Sequence, residues 1–139
     1  NWSVVGSPAY FAKAGKPTTP EALTAHQTIG YRFLTSGMAH RWEFERAGRE
    51  FTVGVQGGLI VNDRNLMIAA ARAGLGLAYV SDFEVMEDLA SGALEPVLQS
   101  FVPPSSGLYL YFPARTQSQP KLRAFIDLAT AWIAEKRGR

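Results

Sequence analysis

Three places in this 139-residue chain put small polar or aromatic residues where an apolar run ends, and ligand chemistry would sit there. Val61-Asn62-Asp63 and Val80-Ser81-Asp82 each close a strand-like run and precede a helical one. In open α/β sheets ligands bind beyond the carboxyl ends of the strands, and a helix N-terminus offers unpaired N–H groups and a positive dipole end to an anion. Asn62, Asp63, Val80 and Ser81 are therefore candidate ligand contacts, while the plain alternative for each polar side chain is a helix cap. Tyr31, Arg32 and Phe33 end a third run and would add an aromatic wall and a guanidinium for a carboxylate. The alternative for Arg32 is a solvated surface charge.

Other chemistry is sparse. The two histidines, His26 and His40, have no carboxylate at metal-ligand spacing and read as surface or capping residues. No nucleophile and base pair emerges, so the chain reads as a non-enzyme with no metal and no cofactor. Gly74-Leu75-Gly76 closes a helix and opens a strand, the reverse of a dinucleotide-binding glycine loop, and so reads as a helix stop and a packing glycine. Cysteine is absent, which removes disulfides, thiolate metal sites and a thiol nucleophile.

Strands and helices in alternation must position these residues. Val4-Val5 predicts a strand ending at Gly6, and Ser7-Pro8 opens a helix over 8–14 that Gly15 stops. Thr19-Pro20 opens a single turn, and a strand follows over 28–33. Residues 41–46 and 51–55 alternate large apolar with polar side chains, which predicts a hairpin across 47–49 with Trp42 and Phe44 facing the core. Next come a strand over 59–61 and a helix over 64–73 with Leu66, Met67, Ala70 and Ala71 at helical spacing. A buried strand over 75–80, a helix over 81–91 and strands over 94–98 and 108–112 follow. The last helix opens at Pro120, and its Leu122, Phe125, Ile126, Ala129, Trp132 and Ile133 make one apolar stripe. The order predicts an α/β fold, a mixed sheet flanked by helices with an inserted antiparallel hairpin.

With 47% hydrophobic and 19% charged residues, the chain has the composition of one globular domain or most of one. Its net charge of +2 is uneven. Residues 114–139 carry Arg115, Lys121, Arg123, Lys136, Arg137 and Arg139 against Asp127 and Glu135, which leaves the preceding body net acidic. Signs are interspersed in that body, unlike a surface that tracks phosphates. No apolar run approaches the roughly 18 residues of a transmembrane helix, and the start lacks the basic and apolar regions of a signal peptide. Because it opens abruptly in a strand, the chain is expected to be part of a longer polypeptide.

A set of short motifs points further. Ser7-Pro8-Ala9-Tyr10-Phe11, Gly15-Lys16-Pro17, Thr19-Pro20-Glu21-Ala22-Leu23 and His26 come first. Trp42-Glu43-Phe44 with Gly48, Val61-Asn62-Asp63 and Ala73-Gly74-Leu75-Gly76-Leu77-Ala78 follow in order. Gly92-Ala93-Leu94, Tyr111-Phe112-Pro113 and Arg123-Ala124-Phe125-Ile126-Asp127 complete the set. Together they resemble the effector-binding domain of LysR-type transcriptional regulators, from about residue 4 to residue 132.

The resemblance implies a lobe with the fold of type 2 periplasmic binding proteins, mostly the second lobe (regulatory subdomain II). Residues 1–7 would be a first crossing strand, 8–104 the second lobe, 108–112 the return crossing strand, and 113–139 would carry a C-terminal helix that docks on a first lobe. It also implies that Ser7, Tyr31, Arg32, Phe33, Asn62, Asp63, Val80 and Ser81 face an effector cleft. The implied function is binding of a small organic effector, anionic or aromatic, which changes the lobe angle and the arrangement of a homo-oligomer on its operator. DNA would be contacted only through an N-terminal helix-turn-helix outside this sequence. The setting would be the bacterial cytoplasm, with no membrane partner. A solute-binding receptor of a transport system, built on the same fold, is the alternative.

Overall fold

Val4 and Val5 have no solvent exposure, because their strand is central in the sheet and covered on both faces. β1 (Trp2–Gly6) pairs antiparallel with β6 (Leu77–Ser81) and with β7 (Glu95–Val97). On its other side β6 pairs in parallel with β2 (Thr28–Tyr31), and β2 in parallel with β5 (Leu59–Val61). The sheet order is thus β5-β2-β6-β1-β7, a mixed sheet as predicted. The structure is a computed structural model that describes residues 1–55, 57–104, 111–113 and 119–137. It divides into two units, Asn1–Ser106 and Gly107–Arg139.

The alternation of β1 and β6 distributes their side chains to two cores. Val5, Ala78 and Val80 join Ile29 and Val61 beneath α2 (Arg64–Arg72), whose Met67, Ile68, Ala70 and Ala71 close onto the sheet. Val4, Leu77 and Tyr79 face the other way, against Tyr10 and Phe11 of α1 (Pro8–Ala14) and against Trp42 and Phe44. A strand buried on both faces reads as an unbroken apolar run, which is why 75–80 showed no alternation. Leu66, predicted on the core face of α2, is largely exposed, and Ile68 takes its place.

The hairpin forms from β3 (Trp42–Arg46) and β4 (Arg49–Val53). Ala47 and Gly48 both adopt positive φ, 52° and 73°, as a two-residue turn matched to strand twist requires. That tighter turn pairs Arg46 with Arg49, so the second strand begins earlier than the predicted 51. Trp42 and Phe44 are fully buried, as their alternation with charged residues predicted.

Caps follow the sequence at three helix ends. Tyr10 N–H donates to Ser7 Oγ at 3.2 Å, and Leu66 N–H donates to Asp63 Oδ1 at 2.8 Å. Gly74, at φ 77°, ends α2. Gly76 answers a different need: a Cβ there would lie 2.7 Å from the backbone oxygen of Gln27, where β2 and β6 enter the sheet.

Several predicted elements are shorter, the strand expected over 94–98 among them, since β7 covers Glu95–Val97. The helix expected over 81–91 is α3 (Met86–Ser91) alone. Glu84 N–H and Val85 N–H instead donate to Ser81 O and Asp82 O, a turn that buries Val85 completely. α3 is tied to α2 by Arg72, whose Nε and Nη2 donate to the buried Asp88 carboxylate at 2.5 and 2.8 Å. The strand expected over 28–33 ends at Tyr31, after which Arg32 makes only an isolated bridge to Ala39. Of the strand expected over 108–112, Leu108, Tyr109 and Leu110 lie outside the described residues, and Tyr111 and Phe112 carry no strand. In the second unit α4 (Pro120–Arg137) forms where predicted. Among the described residues no helix is long and apolar enough to cross a membrane.

The close approach at Gly76 has a measurable cost. Gly76→Ala is expected to destabilise the chain by about 1–3 kcal/mol through overpacking, seen as a lower urea midpoint. Gly54→Ala, at a position with nothing within 4 Å of the new Cβ, should leave the midpoint nearly unchanged.

Candidate functional site

Parallel pairing aligns the carboxyl ends of β2, β5 and β6 on one edge of the sheet. Tyr31 lies opposite Val61, and Trp2, at the start of the oppositely directed β1, lies opposite Ser81. The predicted residues Tyr31, Arg32, Phe33, Asn62, Asp63, Val80 and Ser81 are thereby brought to one edge. Ser7 is not: it follows Gly6 at the far end of β1, is buried, and caps α1.

Their roles differ. Val80 is wholly buried and offers the edge only its backbone. Asn62 is exposed, and Asp63 caps α2. Ser81 N–H donates to Glu84 Oε2 at 3.0 Å. Arg32, predicted either as a carboxylate partner or as a solvated charge, is exposed and donates from Nη1 to Gly37 O at 2.7 Å. It closes a loop that Phe33 N–H to Met38 O and His40 N–H to Tyr31 O also hold, at 2.9 and 2.7 Å.

That loop brings together an aromatic group that the sequence patterns did not reveal. Trp2 stacks on Tyr79 with centroids 5.1 Å apart, and Tyr79 stacks on Trp42 at 5.7 Å. His40 packs against Trp2, Phe33 and Tyr79 at 5.3, 5.3 and 5.7 Å, and Phe33 meets Tyr31 edge to face at 5.4 Å. His40 is therefore half-buried among rings, neither the surface nor the capping residue expected. His26 does hold a helix end, and its Nδ1 shares a hydrogen bond of 2.9 Å with the Tyr10 hydroxyl.

Arg64, the first residue of α2, completes the edge. Its guanidinium lies over the Tyr31 ring at 4.6 Å and the Trp2 ring at 5.1 Å. Trp2 belongs to the hairpin-side core and Tyr31 packs on the α2-side core, so one side chain bridges both faces at the sheet end. Glu84 Oε1 is 3.7 Å from Arg64 Nε, an ion pair beyond hydrogen-bond distance. Arg64 Nη1 is buried, with no hydrogen-bond partner among the described residues. The helix start at Asp63 was readable in the sequence, and a cation one position later was the signal available for Arg64.

Beyond Trp2, toward β7, lies a cavity of about 260 Å³ lined by Asn1, Trp2, Ser3, Asp82, Gln99, Val102, Pro103 and Pro104. Two of its lining residues are joined, the Ser3 hydroxyl donating to Asp82 Oδ1 at 2.5 Å. Among the described residues no group of three or more histidine and carboxylate side chains could hold a metal ion. Burial, then the nearby Arg64 charge, holds the His40 imidazole below the ordinary histidine value, with Glu43 opposing. Burial, aided by Glu43, pushes the Tyr79 phenol up to about 12. The edge is thus equipped to bind a flat ligand by stacking, ion pairing and hydrogen bonds.

Known proteins are similar to this chain in sequence and in fold. Over residues 1–134 the sequence matches the family model described as the LysR substrate binding domain. It is 39% identical over 125 residues to the HTH-type transcriptional regulator PgrR of Escherichia coli K12, covering 90% of this chain and 42% of that protein. YagP of the same strain, named for a LysR family substrate binding domain, is 37% identical over 107 residues, covering 77% of this chain and 79% of that protein. Among solved structures, the regulatory domain of AphB from Vibrio vulnificus superposes with a TM-score of 0.74 at 25% identity, covering 94% of this chain and 64% of that one. This agrees with the predicted α/β lobe of the type 2 periplasmic-binding-protein kind. The chain spans about two fifths of the length of full-length regulators such as PgrR.

His40 gives the edge a pH dependence. Its imidazole binds a proton less readily when folded, so the unfolded state takes up the extra proton as pH falls below about 6.5. Stability present at neutral pH is then lost on descending through the folded-state value. The urea midpoint is expected to drop between pH 7.5 and pH 5, and His40→Gln should shrink that drop. An unchanged drop in the variant would show that His40 is not its source.

Proposed function

We propose that this chain, which belongs to the LysR substrate-binding domain family, is the effector-sensing lobe of a LysR-type transcriptional regulator. It binds a small organic effector at the carboxyl edge of β2, β5 and β6. The observation that carries this reading is the convergence there of three parallel strand ends with Trp2, Tyr31, Phe33 and Arg64. A ligand facing that edge meets rings and a guanidinium, the lining that small-molecule sites use.

On this reading residues 1–7 cross from a first lobe, 8–104 form the second lobe, 108–112 return, and the helix within 113–139 docks on the first lobe. Tyr31, Arg32, Phe33, Asn62, Asp63, Val80 and Ser81 line the cleft, with Arg32 ordering its loop and Val80 contributing backbone. Ser7 keeps its capping role. Closure on an effector rotates this lobe against the first, and β1, hydrogen-bonded on both sides, rotates with it. The turn reaches DNA only through a helix-turn-helix elsewhere in a homo-oligomeric, cytoplasmic parent, with no membrane partner. The chain carries out no turnover of its own and needs no cofactor. Relatives that are transcriptional regulators favour this over a transport receptor.

Amide mapping by NMR on the 139-residue chain tests the reading with a library of small organic compounds. A true effector is expected to shift residues 31–33, 61–63 and 80–82 while sparing Ser7, Gly74 and Gly92 at the other sheet edge. Shifts confined to that other edge, or none at all, would overturn it.

A further inference from the structure

We infer that Arg64 anchors the carboxylate of a flat, apolar-bodied monocarboxylate effector, an inference that rests on the cleft reading above and adds the ligand class. The guanidinium is held over the Tyr31 ring at 4.6 Å and the Trp2 ring at 5.1 Å, and its N–H groups lie in its own plane, so an acceptor must approach in that plane. Among the described residues Nη1 has no hydrogen-bond partner, and it is closed off from solvent as well. A buried donor left unmatched is unfavourable, and a planar carboxylate matches the guanidinium fork in that plane.

The neighbouring carboxylates are otherwise engaged. Glu84 Oε2 accepts Ser81 N–H, Asp63 Oδ1 accepts Leu66 N–H, and Asp82 Oδ1 accepts the Ser3 hydroxyl. Glu84 Oε1, at 3.7 Å, offsets part of the charge without occupying the fork. With Asp63, Asp82 and Glu84 on one edge, a second negative charge on the ligand meets repulsion, which selects a monoanion over a phosphate ester. Phe33 and His40 beside Tyr31 and Trp2 offer ring faces and edges to the apolar body.

Phenylacetate, its neutral isostere phenylacetamide, and phenyl phosphate serve as probes on the 139-residue chain, read by amide and arginine Nε–H resonances. Phenylacetate is expected to shift Arg64 Nε–H and to bind at least about tenfold more tightly than the amide, the ratio a charged hydrogen bond supplies. Arg64→Gln should abolish the preference, and Arg64→Lys, which keeps the charge and loses the planar fork, should retain only part of it. The unchanged amide spectrum away from the edge checks that each variant folds, and the wild-type Arg64 resonance needs no variant. Equal binding of the amide, preference for phenyl phosphate, or a preference that survives Arg64→Gln overturns the inference. If neutral library compounds shift the edge and phenylacetate does not, the monocarboxylate assignment fails while the cleft reading stands. If nothing shifts the edge, both fail.

Discussion

The two-sided burial of β6 is the constraint on which the rest of the first unit depends. Leu77, Ala78 and Val80 have no exposure and Tyr79 has 4%, so the strand has no face left for solvent. Its backbone must therefore be satisfied by neighbours, and it is, in parallel by β2 and antiparallel by β1. The change of strand direction at β6 is what brings the start of β1 beside the ends of β2 and β5. Without it Trp2 would lie at the opposite edge from Tyr31, and no side chain could touch both rings as Arg64 does.

Tyr79 shows how one residue links the core to that edge. Its ring stacks between Trp2 and Trp42, and its hydroxyl donates to Glu43 O at 3.2 Å, so the hairpin is fixed to the sheet by stacking and by a hydrogen bond. The same packing half-buries His40 and makes its imidazole bind a proton less readily, next to a permanently charged Arg64. Within this aromatic group, among the described residues, the guanidinium is the permanent cation over the rings. An aromatic wall with a single fixed positive charge is a more selective surface than one with a second, titrating cation.

Much of the frame was legible because its causes are local. A cap needs a hydroxyl or carboxylate three residues before an N–H, so Ser7 and Asp63 declared their helices. Alternation buried Trp42 and Phe44, and the glycine pair around Leu75 marked a stop and a close approach. The site was half legible: the strand ends were visible, but what gathers around them was not. His40 reaches Trp2 and Tyr79 through a loop whose shape depends on Arg32 bonding Gly37 O, a contact no periodicity encodes. Asp82 follows a strand where the sequence predicts a helix start, yet it accepts a hydroxyl from Ser3, far away in sequence. Ser7 entered the candidate site through resemblance alone, and the direction of β1 carries it to the far edge.

The two ends of the sheet differ in how much they can yield. At the end where β2 and β6 begin, Gly76 sits against Gln27 O and Gly57 against Thr28 O, with no room even for a methyl group. There the Tyr10 hydroxyl accepts Gln27 N–H at 3.0 Å while holding His26. Close-packed backbone of this kind transmits displacement rather than absorbing it. At the other end the chain leaves the sheet in the loop after Tyr31 and the turn after Ser81, where Phe33, Leu34, Met38 and Phe83 remain substantially exposed. On the proposed reading, ligand binding can reorder those two segments locally. Any motion beyond them must move the sheet as one body, and β1, bonded to both β6 and β7, has to move with it.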